Sequence, residues 1–385
     1  MVAEKQPAAT TISPLSILIL GGTGAMGTPL TQMLAEQGHQ VIVTSRKARH
    51  SDNPHIRYVQ GNAQDINFLR QLVEGQHYDA IVDYMSYSTD RFRQVYQLLL
   101  AATNQYVFTS SARVFAPLDT PIKEDSPRLL DVCKDEAYLR TDEYALAKAR
   151  QEDLLRQSGQ TNWTIIRPSI TYNDYRLQMG AFDKEDWLYR ALKGRAIVIS
   201  RDVADKKTAM THGRDVVAGV FALIGRKEAF GKAFNIATNK SYTWRQILDI
   251  YLDTLEAQTG KRPRVVETDV SVKMRDGARW QVLYARAVNR TFDNSAIAQF
   301  VDVTRFVDPK DGLREALTHF LQAPHFDHIN WSHEAWHDQQ THEHTPLSEI
   351  PTWRHKVDYL CQRHHLNFLL RMASKAKHLL KRIIH

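Results

Sequence analysis

SILILGGTGAMG, residues 16–27, is the stretch that decides the fold. Residues 17–20 form a continuous apolar run, which is typical of a strand buried on both faces of a parallel sheet. Gly21, Gly24 and Gly27 follow at a three-residue spacing, and an apolar-periodic segment after them predicts a helix. A strand, a glycine turn and a helix N-terminus in this order make a binding site for a pyrophosphate. An ordinary tight turn is the alternative interpretation. The glycine turn opens the first βαβ unit, however, and this position favours a pyrophosphate site.

The three glycines have different predicted roles. Gly21 permits the tight turn, Gly24 lets the backbone approach the phosphates, and Gly27 lets helix and strand pack closely. The turn therefore predicts that a dinucleotide binds at the start of the chain's first helix.

Strands and helices alternate over the next 220 or so residues. Further strands are predicted at residues 40–44, 56–60, 79–84, 106–109, 163–167 and 233–236. Helices are predicted from residue 65 and over residues 89–103, 143–157 and 215–224. This alternation predicts an α/β fold, a Rossmann doubly wound parallel sheet, with a smaller C-terminal substrate lobe and a helical C-terminal extension.

Length and composition indicate a soluble globular protein. The chain has 385 residues, of which 43% are hydrophobic, and no apolar run approaches the length of a membrane span. The first residues lack the basic start and apolar core of a secretory signal. Only Cys133 and Cys361 occur, which fits a reducing compartment. We therefore expect a cytoplasmic protein.

The net charge of +7 is concentrated at one end of the chain. Residues 359–385 contain six lysines and arginines and no acid, so by subtraction the remainder carries +1. Non-specific binding to a nucleic-acid backbone needs a basic surface, and the nearly neutral remainder of the chain does not supply one. Nucleic-acid binding is therefore not expected.

The end of the second predicted strand bears on cofactor choice. Folds that prefer NAD usually place an acid there for the ribose hydroxyls, whereas a cation suits a 2′-phosphate. This chain has Ser45 and Arg46 at that position, with Lys47 and Arg49 following. A solvated basic turn is the other interpretation. We favour NADP over NAD.

Tyr144 and Lys148 lie four residues apart on a predicted helix, so both project from one face. A lysine cation beside a phenol lowers a pKa that is otherwise about 10, and such a tyrosine exchanges protons with a substrate hydroxyl. Tyr189 and Lys193 have the same spacing. Only Tyr144 follows a serine, Ser111, at the end of a sheet strand, so we assign Tyr144 to the site and Tyr189 to packing.

Four motifs, in order, resemble the short-chain dehydrogenase/reductase superfamily: GGTGAMG, SSARVFA, YALAK and RPSITY. More narrowly, they resemble its extended type, the NAD(P)-dependent epimerase/dehydratase family, over residues 15–320. The resemblance implies that Ser111 holds the substrate hydroxyl or carbonyl and that Tyr144 is the acid/base. Lys148 would bind the nicotinamide ribose and tune Tyr144.

The resemblance also implies where the ligands and domains lie. Substrate contacts are predicted for Ser111, Arg113 and Asn173. The predicted cofactor-binding residues are Gly21, Thr23, Gly24, Ala25, Met26, Gly27, Ser45, Arg46, Asn62, Ala63, Tyr84, Met85, Ser86, Tyr144, Lys148, Pro168 and Ile170. The predicted domains are the NAD(P)-binding domain (15–175, with 209–240 returning to it), the substrate lobe (176–208 and 241–320) and a His-rich, basic extension (321–385).

The chain departs from the family pattern in the residues that follow Ser111. Members that dehydrate nucleotide sugars commonly carry an acid just after the residue that matches Ser111, and here Ala112 and Arg113 follow. Loss of water is therefore not expected. Arg113 has two possible roles. It either binds an anionic group, a diphosphate or a carboxylate, or its side chain points outward. The long segment 121–143 is predicted to form a flap over the substrate.

Two C-terminal patterns have competing interpretations. The sequence HEAWH, residues 333–337, fits a zinc-protease pattern, but it lies in a polar, histidine-rich stretch. We therefore expect a solvated or loosely packed extension there and no metal. Residues 365–384 place apolar side chains on one face of a helix with basic residues elsewhere. They pack on the domain or a partner subunit, as in a homodimer, or lie on an anionic membrane surface.

The sequence thus predicts an NAD(P)-dependent epimerase or ketoreductase that acts on a secondary alcohol or ketone. The resemblance makes a nucleotide-activated sugar the expected substrate. The alternative is a non-catalytic NAD(P)- or RNA-binding member of the same fold.

Overall fold

The structure, a computed structural model, describes residues 13–271 and 278–366. Its strands are β1 (Ser16–Leu20), β2 (Gln40–Ser45), β3 (Ile56–Gln60), β4 (Ala80–Asp83), β5 (Tyr106–Thr109), β6 (Trp163–Pro168), β7 (Ile170–Tyr172), β8 (Ile197–Ser200), β9 (Lys207–Thr208), β10 (Met210–His212), β11 (Lys232–Ile236), β12 (Tyr242–Thr243) and β13 (Val265–Thr268).

Helices connect these strands. They are α1 (Gly27–Glu36), α2 (Ile66–Val73), α3 (Thr89–Ala101), α4 (Leu129–Val132), α5 (Glu136–Leu139), α6 (Tyr144–Arg156), α7 (Lys184–Leu192), α8 (Arg201–Ala204), α9 (Gly213–Leu223), α10 (Trp244–Thr259), α11 (Arg279–Gln281), α12 (Pro309–Gln322), α13 (Trp331–Thr341) and α14 (Trp353–Arg363).

Seven of the strands form one parallel sheet in the order β3-β2-β1-β4-β5-β6-β11. The chain leaves β1 towards β2 and β3, then returns to build the other half from β4 onwards. The crevice at the carboxyl ends of β1 and β4 is therefore the topological switch point, where ligands of open α/β folds bind. The predicted doubly wound sheet is confirmed.

The first strand shows why an uninterrupted apolar run predicts a buried parallel strand. Successive side chains of β1 point to opposite faces of the sheet. Ile17 and Ile19 join a core with α1 and α9, whereas Leu18 and Leu20 join a second core with α2, α3 and α6. Both faces are covered, so the apolar side chains of residues 17–20 are all buried.

The substrate lobe lies beyond β6 and has its own apolar core. Here β7 pairs with β10, β8 with β13 and β9 with β12. Trp187 of α7 stacks on Tyr251 of α10, with ring centroids 4.5 Å apart, and Leu313 and Phe320 of α12 belong to the same cluster.

The described part of the C-terminal extension, up to residue 366, packs against the rest of the molecule, so the expectation of a solvated or loosely packed segment around HEAWH is wrong. Helix α13 buries Ala335 and Trp336, and Trp336 joins the core of the substrate lobe. Its carboxylates Glu334 and Asp338 are also buried, but Arg190 of α7 binds both of them. The polar composition concealed this burial because the compensating charges come from a distant part of the sequence.

Two further regions bear on the predictions. The segment 121–143 forms the short helices α4 and α5, and Tyr138 stacks on Tyr284 with ring centroids 4.7 Å apart. The predicted helix at 365–384 lies outside the described residues from position 367 onwards. Among the helices that the structure describes, none combines the length and apolar character required to cross a membrane.

Candidate active site

The glycine turn after β1 has the backbone geometry that a phosphate site requires. Gly21 has a positive φ of 72°, a left-handed conformation that favours glycine. A Cβ at Gly27 would lie 2.4 Å from the Cα of Gly22, so only glycine allows the first turn of α1 to approach so closely. A Cβ at Gly24 would meet only the carbonyl oxygen of Gly21, at 3.7 Å, so this position faces open space.

The N-terminus of α1 adjoins this turn, and the backbone N–H of Thr28 donates to the carbonyl oxygen of Gly24 at 3.0 Å. Helix α1 begins at Gly27, and no side chain of the described residues caps it at Met26. The first amides of a helix have no intrahelical acceptor and carry a partial positive charge, so they bind anions. The turn and helix together therefore fit a pyrophosphate, with the other predicted residues of the turn, Thr23 and Ala25, beside it.

Two buried hydroxyls at the switch point support a polar ligand in the crevice. Tyr84 follows β4 and Thr109 ends β5, and within the described residues neither side-chain oxygen has a hydrogen-bond partner. Buried polar atoms are rarely left unsatisfied in folded proteins. A dinucleotide lying across this edge of the sheet offers hydroxyl and phosphate groups to both, so the residues present fit such a cofactor.

The remaining predicted cofactor residues surround the same edge. Ser45 is buried and its Oγ accepts a hydrogen bond from the backbone N–H of Lys47, while Arg46 is exposed. After β3, Asn62 is exposed and Ala63 is buried. After β4, Met85 lies against Gly21, and the carbonyl of Ser86 accepts a hydrogen bond from Gln64.

Ser111 and Tyr144 line one cavity of about 340 Å³ next to the glycine turn. Met26, Pro168 and Ile170 form other parts of its wall, so predicted catalytic and cofactor residues meet there. Ser111 stands where β5 turns into a short 3₁₀ helix, and its Oγ accepts a hydrogen bond from the backbone N–H of Arg113. Tyr144 is the first residue of α6.

Lys148 lies one helical turn further along α6 but does not line this cavity. Its ammonium donates to the carbonyl oxygens of Thr109, at 2.7 Å, and Met85, at 3.2 Å. Burial lowers the pKa of Lys148 to about 8, and the nearby carboxylate of Asp83 opposes that effect. The lysine thus holds the ends of β4 and β5 together beside the crevice.

The pKa of Tyr144 is raised, which differs from the expectation that Lys148 lowers it. Burial is the largest cause, and the neighbouring Ser111 hydroxyl and the charges of Arg113 and Arg176 act in the opposite direction. The ammonium of Lys148 instead faces two backbone carbonyls. Tyr144 is therefore a protonated phenol at neutral pH.

An ion pair fixes α6, and with it Tyr144, against the sheet. Glu152 of α6 accepts two hydrogen bonds from Arg167 of β6, at 2.8 and 2.7 Å, and one from Ser110 at the end of β5. Glu152 and Arg167 are both fully buried. The contact joins the helix that carries Tyr144 to the two strands beneath it.

The lining of the cavity is strongly basic, which the sequence analysis did not predict beyond Arg113. Its guanidinium groups belong to Arg113, Arg176, Arg286 and Arg290, and no acidic residue lines this cavity in the described part of the chain. Arg286 ends a turn of π-helix, Val282–Arg286, that continues α11. Such turns recur at functional sites. No local motif marks Arg176, Arg286 and Arg290, because they come from irregular segments of the predicted substrate lobe.

Arg113 points towards the cavity, which decides between its two predicted orientations. It forms an ion pair with Glu143, the residue before Tyr144, and its Cζ lies 5.2 Å from the centroid of the Tyr144 ring. The predicted substrate residue Asn173 does not line the cavity, whereas Arg176 from the same turn does.

Tyr189 packs far from the cavity. Its ring meets Phe326 and Trp331 edge-on, and its hydroxyl donates to Glu349 at 2.9 Å. The HEAWH segment is also committed to packing, because Glu334 binds buried Arg190 instead of facing a metal ligand set. Within the described residues, no group of three histidine, cysteine or acidic side chains is arranged to hold a metal ion.

Comparison with known proteins agrees with this geometry. A family model described as NAD(P)H-binding matches residues 21–205. The chain therefore contains an NAD(P)H-binding domain over these residues. The UDP-glucuronic acid 4-epimerase from Bacillus cereus, solved with UDP-glucuronic acid and NAD, shares the fold of this chain with a TM-score of 0.59. That structure is 16% identical, and the match covers 80% of this chain and 99% of that one.

Two curated relatives point in different functional directions. The chain is 26% identical over 247 residues to the chloroplast stem-loop binding protein of 41 kDa b from Arabidopsis thaliana, covering 60% of this chain and 61% of that protein. It is 29% identical over 136 residues to UDP-glucose 4-epimerase from Lacticaseibacillus casei, covering 30% of this chain and 41% of that enzyme. The chain thus matches less than two thirds of either relative's length.

Proposed function

We propose that this protein is an NAD(P)-dependent epimerase or ketoreductase that acts on a secondary alcohol or ketone of a nucleotide-activated sugar. The observation that carries the proposal is the cavity at the switch point that Ser111 and Tyr144 share. Met26 of the glycine turn and four arginines also line it. The same cavity thus suits a dinucleotide, proton transfer and the diphosphate of the substrate.

The residues of the chain divide the chemistry as follows. The Tyr144 phenol exchanges the proton of the substrate hydroxyl at its Oη, and the Ser111 Oγ holds the same substrate oxygen. Lys148 would hold the ribose of the cofactor. When bound, the nicotinamide supplies or accepts the hydride at the reacting carbon. Return of hydride to the other face of the sugar gives an epimer, and one net transfer gives reduction.

Loss of water is not part of the proposed reaction. Elimination requires an acid or base beside the main site to protonate the leaving hydroxyl and remove a proton from carbon. Ala112 and Arg113 stand next to Ser111, and Arg113 is bound to Glu143. A guanidinium does not act as a proton donor at ordinary pH.

The test is turnover of a panel of nucleotide sugars with NAD(H) or NADP(H), followed by mass spectrometry. An epimer keeps the substrate mass and a reduced ketone gains two hydrogens, whereas a dehydrated product has lost water and would contradict the proposed chemistry. Tyr144→Phe should abolish turnover and leave cofactor affinity nearly unchanged, because the lost hydroxyl serves proton transfer. Tyr189→Phe is the matched control and should retain activity, because Tyr189 packs outside the cavity.

A non-catalytic RNA-binding protein is the second candidate. The match to a chloroplast stem-loop binding protein over 60% of this chain favours it. The near-neutral body of the chain speaks against broad nucleic-acid binding. A stem-loop RNA bound equally by the wild type and Tyr144→Phe, together with no turnover across the sugar panel, would favour this candidate over the enzyme.

A further inference from the structure

The cavity beside Tyr144 carries more positive charge than a sugar diphosphate requires. Four guanidinium groups line it, and two of them, Arg286 and Arg290, are 3% and 6% exposed. Their hydrogen bonds run to backbone carbonyls: Arg286 to Gly180, and Arg290 to Phe115 and Tyr284. Burial lowers their pKa values to about 9 and 10, so both remain charged at neutral pH. An anion bound between them would offset the cost of burying these charges.

The other two arginines stand beside the proton-transfer residue. The Cζ of Arg113 is 5.2 Å from the centroid of the Tyr144 ring, and Arg176 lines the same cavity. The positive charges of Arg113 and Arg176 both act to lower the pKa of the Tyr144 phenol. Since the reacting carbon must lie at this phenol, its ring substituents come within reach of Arg113.

Arg113 is only partly satisfied by its ion pair. Glu143 binds one terminal nitrogen, and the two side chains are 18% and 14% exposed. The Nε–H of Arg113 is buried, and none of the described residues accepts a hydrogen bond from it. A buried donor left without an acceptor is costly, so an acceptor on a ligand would be favoured there. Glu143 already accepts hydrogen bonds from the backbone N–H of Ala145 and from the Tyr138 hydroxyl. It would have to lose them in order to accept one from the Arg113 Nε–H.

Building on the proposed function, we propose that Arg113 binds a carboxylate on the reacting sugar, so that the substrates are nucleotide-activated acidic sugars. A diphosphate at Arg286 and Arg290 leaves Arg113 and Arg176 without a ligand anion. The planar fork of arginine matches a carboxylate in two hydrogen bonds, which a sugar hydroxyl cannot match. Arg113 would thus select the substrate at its reacting end.

Calorimetric binding of matched sugar pairs tests this inference. The pairs are UDP-glucuronate with UDP-glucose, UDP-galacturonate with UDP-galactose, and GDP-mannuronate with GDP-mannose. Measuring them in Tyr144→Phe, with saturating cofactor, prevents turnover. We expect the acidic member of the accepted pair to bind about tenfold more tightly, and the added change Arg113→Gln to remove most of that ratio. Arg201→Gln is the control, since Arg201 is exposed and pairs with Glu267 outside the cavity.

The outcomes separate this inference from the proposed function. If the neutral sugar binds as tightly as its acidic partner, the selection by Arg113 is wrong and the proposed function stands. If no pair binds, the proposed substrate class itself fails. Where Arg113→Gln does not fold, Arg113→Lys replaces it, because lysine keeps the charge without the planar fork. A preference that this substitution leaves unchanged would contradict the carboxylate contact.

Discussion

Arg46 is the residue on which we expect cofactor choice to depend. It is exposed, directly after buried Ser45 at the end of β2, where the ribose of a dinucleotide lies in this fold. Arg46→Ala should narrow the preference for NADPH over NADH by about 1–2 kcal/mol, the range of a charge-assisted hydrogen bond. Titrating each cofactor into the protein while monitoring tryptophan fluorescence gives the two dissociation constants, and their ratio measures the preference.

The control for this prediction is Arg57→Ala. Arg57 is an exposed arginine on the neighbouring strand β3, and its removal should leave the ratio of the two affinities unchanged. Tighter binding of NADH than NADPH by the wild type would show that the basic turn after β2 is simply solvated.

The residue scale also shows what sequence reasoning can and cannot find. Ser111 and Tyr144 were predictable because each belongs to a local motif whose position relative to the strands is visible in the sequence. Arg286 and Arg290 were not, because their roles depend on a π-helical turn and on burial against a distant wall. The raised pKa of Tyr144 was also hidden, since it follows from burial, and the Lys148 ammonium faces two backbone carbonyls.

At the scale of elements, the attachment of α6 to β6 holds the proposed site together. Burial would raise the pKa of Glu152, but the charges of Arg167 and Arg156 and the hydrogen bond from Ser110 outweigh it and lower the pKa to about 2. Glu152→Gln should therefore destabilise the protein by about 3–5 kcal/mol at neutral pH, because it leaves the Arg167 charge buried without its partner. Urea denaturation monitored by circular dichroism measures the loss.

The pH dependence of this contribution has a definite sign. Since the pKa of Glu152 is lower in the folded state than its ordinary value of 4.5, the stabilisation is complete above pH 4.5 and is lost as the pH falls towards 2. The difference between wild type and Glu152→Gln should shrink over that window. Glu136→Gln is the control: its pair with Arg140 is exposed and should contribute less than about 1 kcal/mol. A constant difference from pH 7 to pH 2 would contradict the assignment.

Strands and helices of the first domain were predictable to within a few residues because their signals are local. Apolar runs mark β1, β5 and β6, and the periodic segments mark the covering helices. Helix α13 was not recognised as buried, because its polar positions are satisfied only by tertiary contacts. Arg190 and Glu334, which bind each other, are separated by 144 residues in the chain.

At the scale of the whole molecule, Arg190 fastens the C-terminal extension to the substrate lobe. Its guanidinium binds Glu334 at 2.7 Å, Asp338 at 2.8 Å and Glu343 at 2.9 Å, and Arg190 itself is fully buried. Removing a buried charge that serves several partners leaves those partners desolvated and unpaired. Arg195 binds Glu334 and Glu349 as well, so the extension is attached through ion pairs in addition to apolar packing.

We therefore expect Arg190→Leu to release the extension before the rest of the molecule unfolds. Hydrogen exchange followed by mass spectrometry should show faster exchange in α13 and α14 and unchanged protection in the central sheet, whose core is separate. Cofactor affinity should persist, because the glycine turn belongs to that sheet. Arg314→Leu, which removes only an exposed pair with Asp311, is the control. Equal loss of protection in sheet and extension would mean that the molecule unfolds as one unit, and no loss anywhere would mean that Arg190 is not required to hold the extension.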